Sequence, residues 1–263
     1  MHYLIVNNLN LVKFTPYIFL VSIVIFLGVG WLYGKYRLST SGNVIIRDAL
    51  ATAIFGLSAL VLGFTFSGAN EHFDKRIELM RSQADSIRQV YHSSRYLNPT
   101  DQLAVRKSLQ VITSDRLAMY QDIKTIADLN ANLDRLTSNA NQLNELITVS
   151  IPRAPTNSRE LADKILRPQQ DQLMEAIRDG TLNARHHPPP IIDRFLFILL
   201  SLGALLSGYA MAIQKEEDWF LTILYLAVMG FALYVIFALE YPNQIFEYEM
   251  FNADLLRTQK LIQ

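Results

Sequence analysis

The sequence predicts an all-α membrane protein in which four transmembrane helices form two hairpins, with a helical extramembrane insert between spans two and three. Three observations support this fold class. The long apolar runs fall into two blocks, at about residues 15–68 and 191–239, and the charged residues concentrate between them. Short polar linkers divide each block into two runs, each close to the roughly 20 residues that span a bilayer. The stretch between the blocks has helical periodicity and no alternating strand pattern.

The composition is compatible with this fold and excludes several classes of function. Hydrophobic residues make up 51% of the chain and charged residues 18%, with a mean hydropathy of +0.17. The 24 basic and 24 acidic residues balance, so the chain has no electrostatic footprint for a nucleic-acid partner. It contains no cysteine, which excludes disulfides, thiolate zinc ligands and a cysteine nucleophile.

The first hairpin is predicted within residues 1–68. Its first span covers about residues 15–33, carries no charged side chain, and ends in Trp31 and nearby tyrosines that are typical of a membrane interface. No small-residue cleavage pattern closes this run, so we expect a retained helix and not a cleaved secretory signal. The second span covers about residues 44–67.

The second hairpin is predicted within residues 191–240, with spans at about 191–213 and 219–239, and residues 241–263 form a C-terminal tail. An even number of spans places both termini and the insert on one side of the membrane. Basic residues near the membrane favour that side as the cytoplasmic one by a small margin. We therefore expect an integral protein of a bacterial inner membrane, with the insert and both termini in the cytoplasm.

The insert, residues 69–190, is predicted to be helical. Its beginning continues the second span as one long helix, because apolar residues recur at heptad-like spacings. These residues are Phe73, Ile77, Met80, Ala84, Ile87 and Tyr91. Asn98 and Pro99 predict the end of this helix, and Thr100 is the expected N-cap of the next one.

The helix expected after Thr100 carries a second apolar face. This face consists of Leu129, Leu133, Leu136, Ala140, Leu143 and Ile147. A loop containing Pro152 and Pro155 follows. Ser158 is the predicted N-cap of a further helix, which we expect to kink at Pro168 and to end near Gly180.

No catalytic constellation is recognisable in the sequence. There is no glycine-rich phosphate loop, no nucleophile elbow and no His-Glu-x-x-His pattern. His186 and His187 could ligate a metal, but no second pair lies at ligand spacing, and a polar loop explains them better. We therefore expect neither an enzyme nor a bound metal or cofactor.

Small and hydroxyl-bearing residues form one narrow face of the second span, at about 100° per residue. The face comprises Thr52, Gly56, Ala59, Gly63, Ser67, Asn70 and Asp74. Helix packing is the favoured interpretation, because small residues let another backbone come close, whereas lining of a narrow aqueous path is the alternative. Beyond the membrane the face continues with Arg81, Asp85, Arg88, His92 and Arg95. A solvated surface explains this continuation most simply, and a basic vestibule that gathers anions is the alternative.

The segment Gly63-Phe64-Thr65-Phe66-Ser67, with residues downstream of it, resembles the signature of the bestrophin-like membrane family. The downstream residues are Phe73, Asp74, Arg76, Ala84, Ile87 and Tyr91. Two hairpins around a helical insert match the layout of that family, so the resemblance covers most of the chain. The tail departs from the family, which tends to have Asp-Arg-Pro where this chain has Glu240-Tyr241-Pro242. The resemblance implies kinship to bestrophins, which are homo-pentameric anion channels whose second helix lines the pore.

The resemblance implies that the chain forms a homo-oligomeric channel in the lipid bilayer. By analogy with bestrophins, the channel would be permeable to inorganic anions and pentameric. The expected pore-lining residues are Thr52, Gly56, Ala59, Gly63, Phe64, Phe66 and Ser67. Phe64 and Phe66 would lie at the constriction or in its packing shell, and the hydroxyls would serve a dehydrating ion. The expected vestibule residues are Asn70, Asp74, Arg81, Arg88 and Arg95. The alternative is a non-conducting scaffold or sensor whose insert binds a partner protein or a ligand.

Overall fold

Helix is the only regular structure in the described part of the chain, which in this computed structural model comprises residues 14–40, 48–121, 123–185, 190–214 and 219–263. The longer helices are α1 (Thr15–Thr40), α2 (Asp48–Ser93), α3 (Pro99–Ala118), α4 (Ile126–Ser150), α5 (Arg167–Arg185), α6 (Pro190–Gln214), α7 (Trp219–Glu240) and α8 (Ala253–Ile262). Two short helices, Pro242–Ile245 and Tyr248–Phe251, connect α7 to α8. The all-α fold predicted from the sequence is thereby confirmed.

Within the described residues, four helices are long and apolar enough to cross a membrane, which confirms the predicted number of spans. They are α1, the N-terminal half of α2, α6 and α7. In this layer α1 packs along α6, and α2 packs on both α6 and α7. Residues 41–47 and 215–218, which join the predicted hairpin partners, lie outside the described residues, so the two-hairpin detail stays a prediction.

The contact between α1 and α6 depends on glycines in both helices. A Cβ atom at Gly30 would lie 2.0 Å from the carbonyl oxygen of Leu205. On the opposite helix, a Cβ atom at Gly208 would lie 2.0 Å from the carbonyl oxygen of Leu27. Burial of apolar side chains between two helices gains little in a bilayer, because lipid is equally apolar. Close approach of the two backbones is therefore a main source of helix packing there.

Helix α2 runs without interruption from the membrane layer into the extramembrane bundle. It has 46 residues and is about 69 Å long at 1.5 Å per residue. Its extramembrane half buries the predicted heptad face in the bundle core, which also contains the predicted apolar face of α4. The buried residues that α2 contributes are Met80, Ala84, Ile87 and Val90. The domain boundaries drawn from the sequence stay predictions.

The start of α3 corrects one predicted cap. The side-chain oxygen of Asn98 accepts the backbone N–H of Asp101 at 2.9 Å, so Asn98 and not Thr100 is the N-cap. Pro99 then occupies the first helical position, where its missing N–H removes no hydrogen bond.

The sequence predicted a single helix after Thr100, but the structure has two, α3 and α4, and a capping box marks the start of α4. The Thr125 hydroxyl accepts the backbone N–H of Asp128 at 3.2 Å, and the Asp128 carboxylate accepts the backbone N–H of Thr125 at 2.8 Å. The backbone N–H groups of Lys124 and Thr125 hold the pKa of Asp128 below its ordinary value. The cap is therefore complete while this carboxylate is ionised, and it weakens as the pH falls through the lowered pKa.

Gly180 lies inside α5 and does not end it, because the helix continues to Arg185. A Cβ atom at Gly180 would lie 1.9 Å from the Gln83 Nε2 atom, so this glycine lets α2 and α5 approach each other. Gln83 donates to the Ala176 carbonyl oxygen at 3.0 Å and accepts from Nε of the buried Arg116 at 2.8 Å. Gly180, which was expected to end the helix, therefore allows α5 to pack closely against α2.

The segment before α5 also differs from the prediction. Ser158 makes no cap hydrogen bond, because its hydroxyl donates to the Tyr96 carbonyl oxygen at 2.8 Å. A π-helical turn, Ala162–Leu166, comes directly before α5, and Pro168 is the second residue of α5. The irregularity expected at the proline thus lies in the turn that precedes it.

The α1–α6 contact predicts opposite effects for two alanine substitutions in α1. Gly30→Ala should lower the melting temperature in detergent, because its Cβ meets the α6 backbone and overpacking costs about 1–3 kcal/mol. Gly28→Ala is the matched control, since a Cβ there meets no atom within 4 Å and alanine favours a helix. Equal melting temperatures for the two variants would contradict the close crossing.

Candidate functional site

The predicted pore-lining residues lie on an exposed face of α2. Thr52, Gly56, Ala59, Gly63 and Ser67 are all exposed. Cβ atoms built on the two glycines meet no atom within 4 Å. The stripe therefore packs against no described part of its own subunit, and a second copy, lipid or an ion path remains to cover it.

Phe64 and Phe66 flank this stripe on opposite sides of the helix. Their side chains are 70% and 45% exposed, so neither belongs to the core of the subunit. Successive α-helical residues differ by about 100°, which places Phe64 and Phe66 on either side of Gly63. Within the subunit both rings are free to meet a neighbouring copy.

The opposite face of α2 fixes its orientation in the membrane layer. The Phe55 ring meets the Tyr225 ring of α7 edge to face, with centroids 6.2 Å apart. The same Phe55 ring lies 3.3 Å from a Cβ built on Gly203 of α6. Val61 and Leu62 pack against the apolar cluster formed by α1, α6 and α7. These contacts leave the small stripe facing away from the other three spans.

Below the membrane, the C-terminal helix partly covers the predicted vestibule residues. Arg81 is 67% exposed and its Nε lies 3.3 Å from a carboxylate oxygen of Asp254 in α8. Arg88 is 31% exposed; it donates to the Thr258 hydroxyl at 2.7 Å and also bonds Asp85. The arginines therefore do not form a bare basic stripe, because α8 holds two of them.

The other predicted vestibule residues remain on the surface. Asn70 donates to the Asp74 carboxylate at 3.1 Å, and Arg95 donates to the Tyr96 hydroxyl at 3.0 Å. Around them α2 exposes acidic and basic side chains together. The exposed charged residues of this half are Glu71, Asp74, Lys75, Glu78, Arg81 and Asp85, and Arg95 follows just beyond the end of the helix. The extramembrane half of α2 therefore carries mixed charge.

An ion pair that was not predicted from the sequence joins α2 to the end of α7. Arg76 and Glu240 are 11% and 9% exposed, with Nη2 and Oε1 3.4 Å apart. Arg76 also donates to the main-chain carbonyl oxygens of Leu239 and Glu240. His72 lies 3.4 Å from the second carboxylate oxygen. Two features of the sequence could have indicated this pair. Glu240 is an acidic residue at the end of the fourth apolar run, and Arg76 is a basic residue just beyond the second span.

The predicted histidine pair, His186 and His187, lies outside the described residues. Across the ranges that the structure describes, no group of three or more histidine, aspartate or glutamate side chains could hold a metal ion.

The buried ion pair predicts a large effect of removing one charge. Glu240→Gln should destabilise the protein by about 3–5 kcal/mol, because it leaves the Arg76 charge buried without a counterion. Glu160→Gln is a matched control, since the Lys164–Glu160 pair is 71% and 78% exposed and such pairs contribute about 0–1 kcal/mol. Melting temperatures in detergent compare the two, and a Glu240 variant as stable as the control would contradict the buried pair.

The fold matches solved bacterial bestrophin homologues from Klebsiella pneumoniae. One point mutant superposes with a TM-score of 0.68 at 14% identity, covering 93% of this chain and 96% of that chain. A second mutant gives 0.64 at 13% identity, with coverage of 96% and 98%. A structure phased with zinc gives 0.61 at 15% identity, with coverage of 92% and 98%. At these identities the likeness concerns the fold alone.

Sequence comparison extends this likeness to the family. No curated protein matches the chain. The family described as Bestrophin-like, however, matches residues 18–244 with its Bestrophin-like domain, which is most of the sequence. The match runs from the first span, through the long second helix and the bundle, to the short helix after the fourth span. The chain belongs to the Bestrophin-like family.

Proposed function

We propose that this chain forms a homo-oligomeric ion channel of the bestrophin type, with α2 surrounding the axis. The observation that carries the proposal is the exposed stripe of small and hydroxyl residues on α2, which has no intrasubunit partner in the described structure. Family membership supports it, because bestrophins are known as channels and not as enzymes. The stripe continues into the extramembrane half of the same helix.

A path for ions has to form between subunits. The centre of the membrane layer is filled by packed apolar residues of α1, α6 and α7. These residues are Phe19, Ile23, Leu27, Leu196, Leu200, Ala204, Leu233 and Phe237. Because this apolar cluster occupies the space between α1, α6 and α7, the exposed face of α2 is the surface that several copies can arrange around an axis.

Each type of residue on this face has a proposed role. Gly56 and Gly63 allow neighbouring backbones to approach the axis, and Thr52 and Ser67 supply hydroxyls to an ion that has lost part of its hydration. Phe64 and Phe66, which flank the stripe, narrow the path or seal the contact to the next copy. The whole set acts only in the assembled oligomer.

The sign of the permeant ion depends on the charges at the mouth. Family resemblance favours anions, and Arg81 and Lys75 are exposed cations on the extramembrane half of α2 that would attract them. Four carboxylates on the same half of α2 oppose this effect, at Glu71, Asp74, Glu78 and Asp85. We propose anion permeability with a weak preference, because the local field is the difference between these contributions.

Recordings from purified oligomers in planar bilayers test the channel. Arg81→Glu should move the reversal potential toward cations, and more so in dilute salt, since the Debye length lengthens from about 10 Å at 0.1 M to about 30 Å at 0.01 M. Lys107→Glu on α3 makes the same charge change at an exposed residue away from α2 and should leave the reversal potential unchanged. A stable oligomer that stays silent across voltages and ions would contradict the channel and support a non-conducting scaffold.

We propose further that the bundle and both termini lie in the cytoplasm of a bacterial cell. Cysteine reporters test this without a background, because the chain has no cysteine. Ser138→Cys on α4 and Gln263→Cys should label from the cytoplasmic side, and Tyr36→Cys, at the far end of α1, from the opposite side. Labelling of Ser138→Cys and Gln263→Cys from opposite sides would contradict the four-span topology.

A further inference from the structure

A permanently charged side chain lies inside the extramembrane bundle. Arg116 belongs to the last turn of α3 and is 8% exposed. Its helical neighbours Ile112 and Leu117 are part of the apolar bundle core. Arginine keeps its proton in proteins, so burial places a full positive charge where water solvates it poorly. This loss of solvation lowers the pKa of Arg116 below its ordinary value.

The described groups that contact the guanidinium of Arg116 are polar but neutral. Its Nε donates to the side-chain oxygen of Gln83 at 2.8 Å. Gln83 is itself held in place, because its Nε2 donates to the carbonyl oxygen of Ala176 in α5 at 3.0 Å. The Cζ atom of Arg116 lies 5.9 Å from the centre of the Tyr120 ring, near the outer limit of a cation–π contact. These groups reduce the cost of burial but supply no negative charge.

The carboxylate nearest to Arg116 in the sequence is engaged elsewhere. Asp115 pairs with Arg135 of α4 at 3.1 Å and accepts from the side-chain amide of Asn139. Throughout the described ranges, no acidic side chain forms an ion pair with Arg116, and the ionisable groups that act on its pKa are two phenols. Its Nη1 atom is buried and has no acceptor among the described residues.

A second buried arginine shows the arrangement that Arg116 lacks. Arg76 is 11% exposed, and Glu240 supplies a carboxylate oxygen 3.4 Å from its Nη2 atom. Arg76 also donates to two main-chain carbonyl oxygens. The two arginines are buried to a similar degree, but only Arg76 has a counterion in the described structure. A buried charge without a counterion is strongly destabilising.

We propose that Arg116 binds a small inorganic anion, of the size of chloride, through Nη1 inside the bundle. Such an anion supplies both an acceptor for Nη1 and a negative charge for the guanidinium. A water molecule would supply the acceptor alone and leave the charge uncompensated. The contact with Gln83, which is 2% exposed, places this site on the buried side of α2 and away from its exposed stripe. The site therefore stabilises the bundle whether or not the protein conducts.

The melting temperature in detergent tests the site when chloride replaces gluconate, an anion too large to enter the core, at constant ionic strength. The wild-type melting temperature should rise with chloride. Above the dissociation constant, each tenfold increase in chloride should lower the unfolding equilibrium constant about tenfold, because the anion binds only the folded state. Arg116→Met removes the charge and should abolish this dependence.

Two further variants separate the site from other effects of chloride. Arg135→Met removes the 52% exposed arginine of α4 and should keep the wild-type dependence. Asp122→Asn, at an acidic residue outside the described ranges, should keep it as well. A dependence that first appears in the Asp122 variant would identify that carboxylate as the counterion and overturn the proposal. A dependence that survives Arg116→Met would overturn it too.

Bromide supplies a direct measurement that needs no variant. In crystals of the wild-type protein grown in bromide, anomalous scattering should show a peak beside Nη1 of Arg116. The absence of this peak, with equal melting temperatures in chloride and gluconate, would overturn the anion site. Failure of either measurement leaves the channel untouched, and a silent oligomer leaves the anion site untouched.

Discussion

The rest of the structure depends on α2 remaining one continuous helix in two solvents. Inside the bilayer it must satisfy its backbone by its own hydrogen bonds, because lipid offers none. Below the membrane the same helix supplies a heptad face to the bundle core. Packing of one side in both environments leaves the other side exposed in the membrane layer, whereas α8 partly covers it in the bundle. The buried Arg76–Glu240 pair joins this helix to the end of α7 at the boundary between the two environments.

Strong, local signals in the sequence predicted most of the fold. Four apolar runs and the heptad spacing from Phe73 to Tyr91 are each visible without knowledge of a partner. The close packing of α1 on α6 was not predicted, because Gly30 and Gly208 are 178 residues apart in the sequence and glycine is common in membrane helices. Helix packing at the stripe of α2 stays a prediction, because the described part of the subunit provides no partner for it. Gly180 was misread because a glycine that ends a helix and one that admits a neighbouring helix look alike in a single sequence.

The candidate site, like the fold, could be predicted from the sequence only in part. The alignment of Thr52 to Ser67 along one face of α2 follows from helical periodicity and could be predicted, whereas the exposure of that face could not. The partners of Arg81 and Arg88 could not, because Asp254 and Thr258 belong to a tail that returns to α2 after the fourth span. Fold similarity at 13–15% identity conserves the course of the backbone but leaves such surface charges free to vary. Ion preference therefore has to be measured on this chain.

The position of α8 also sets an order for biosynthesis. Phe251, Leu255 and Ile262 are buried in the bundle core, yet the ribosome makes them after all four spans. During translation the apolar face of α2 waits for a segment more than 150 residues downstream, while α1, α6 and α7 can already assemble in the bilayer. Membrane insertion thus precedes closure of the bundle. A nascent chain paused at the end of α7 would hold a complete set of spans and an open core, which is the state that chaperones would meet.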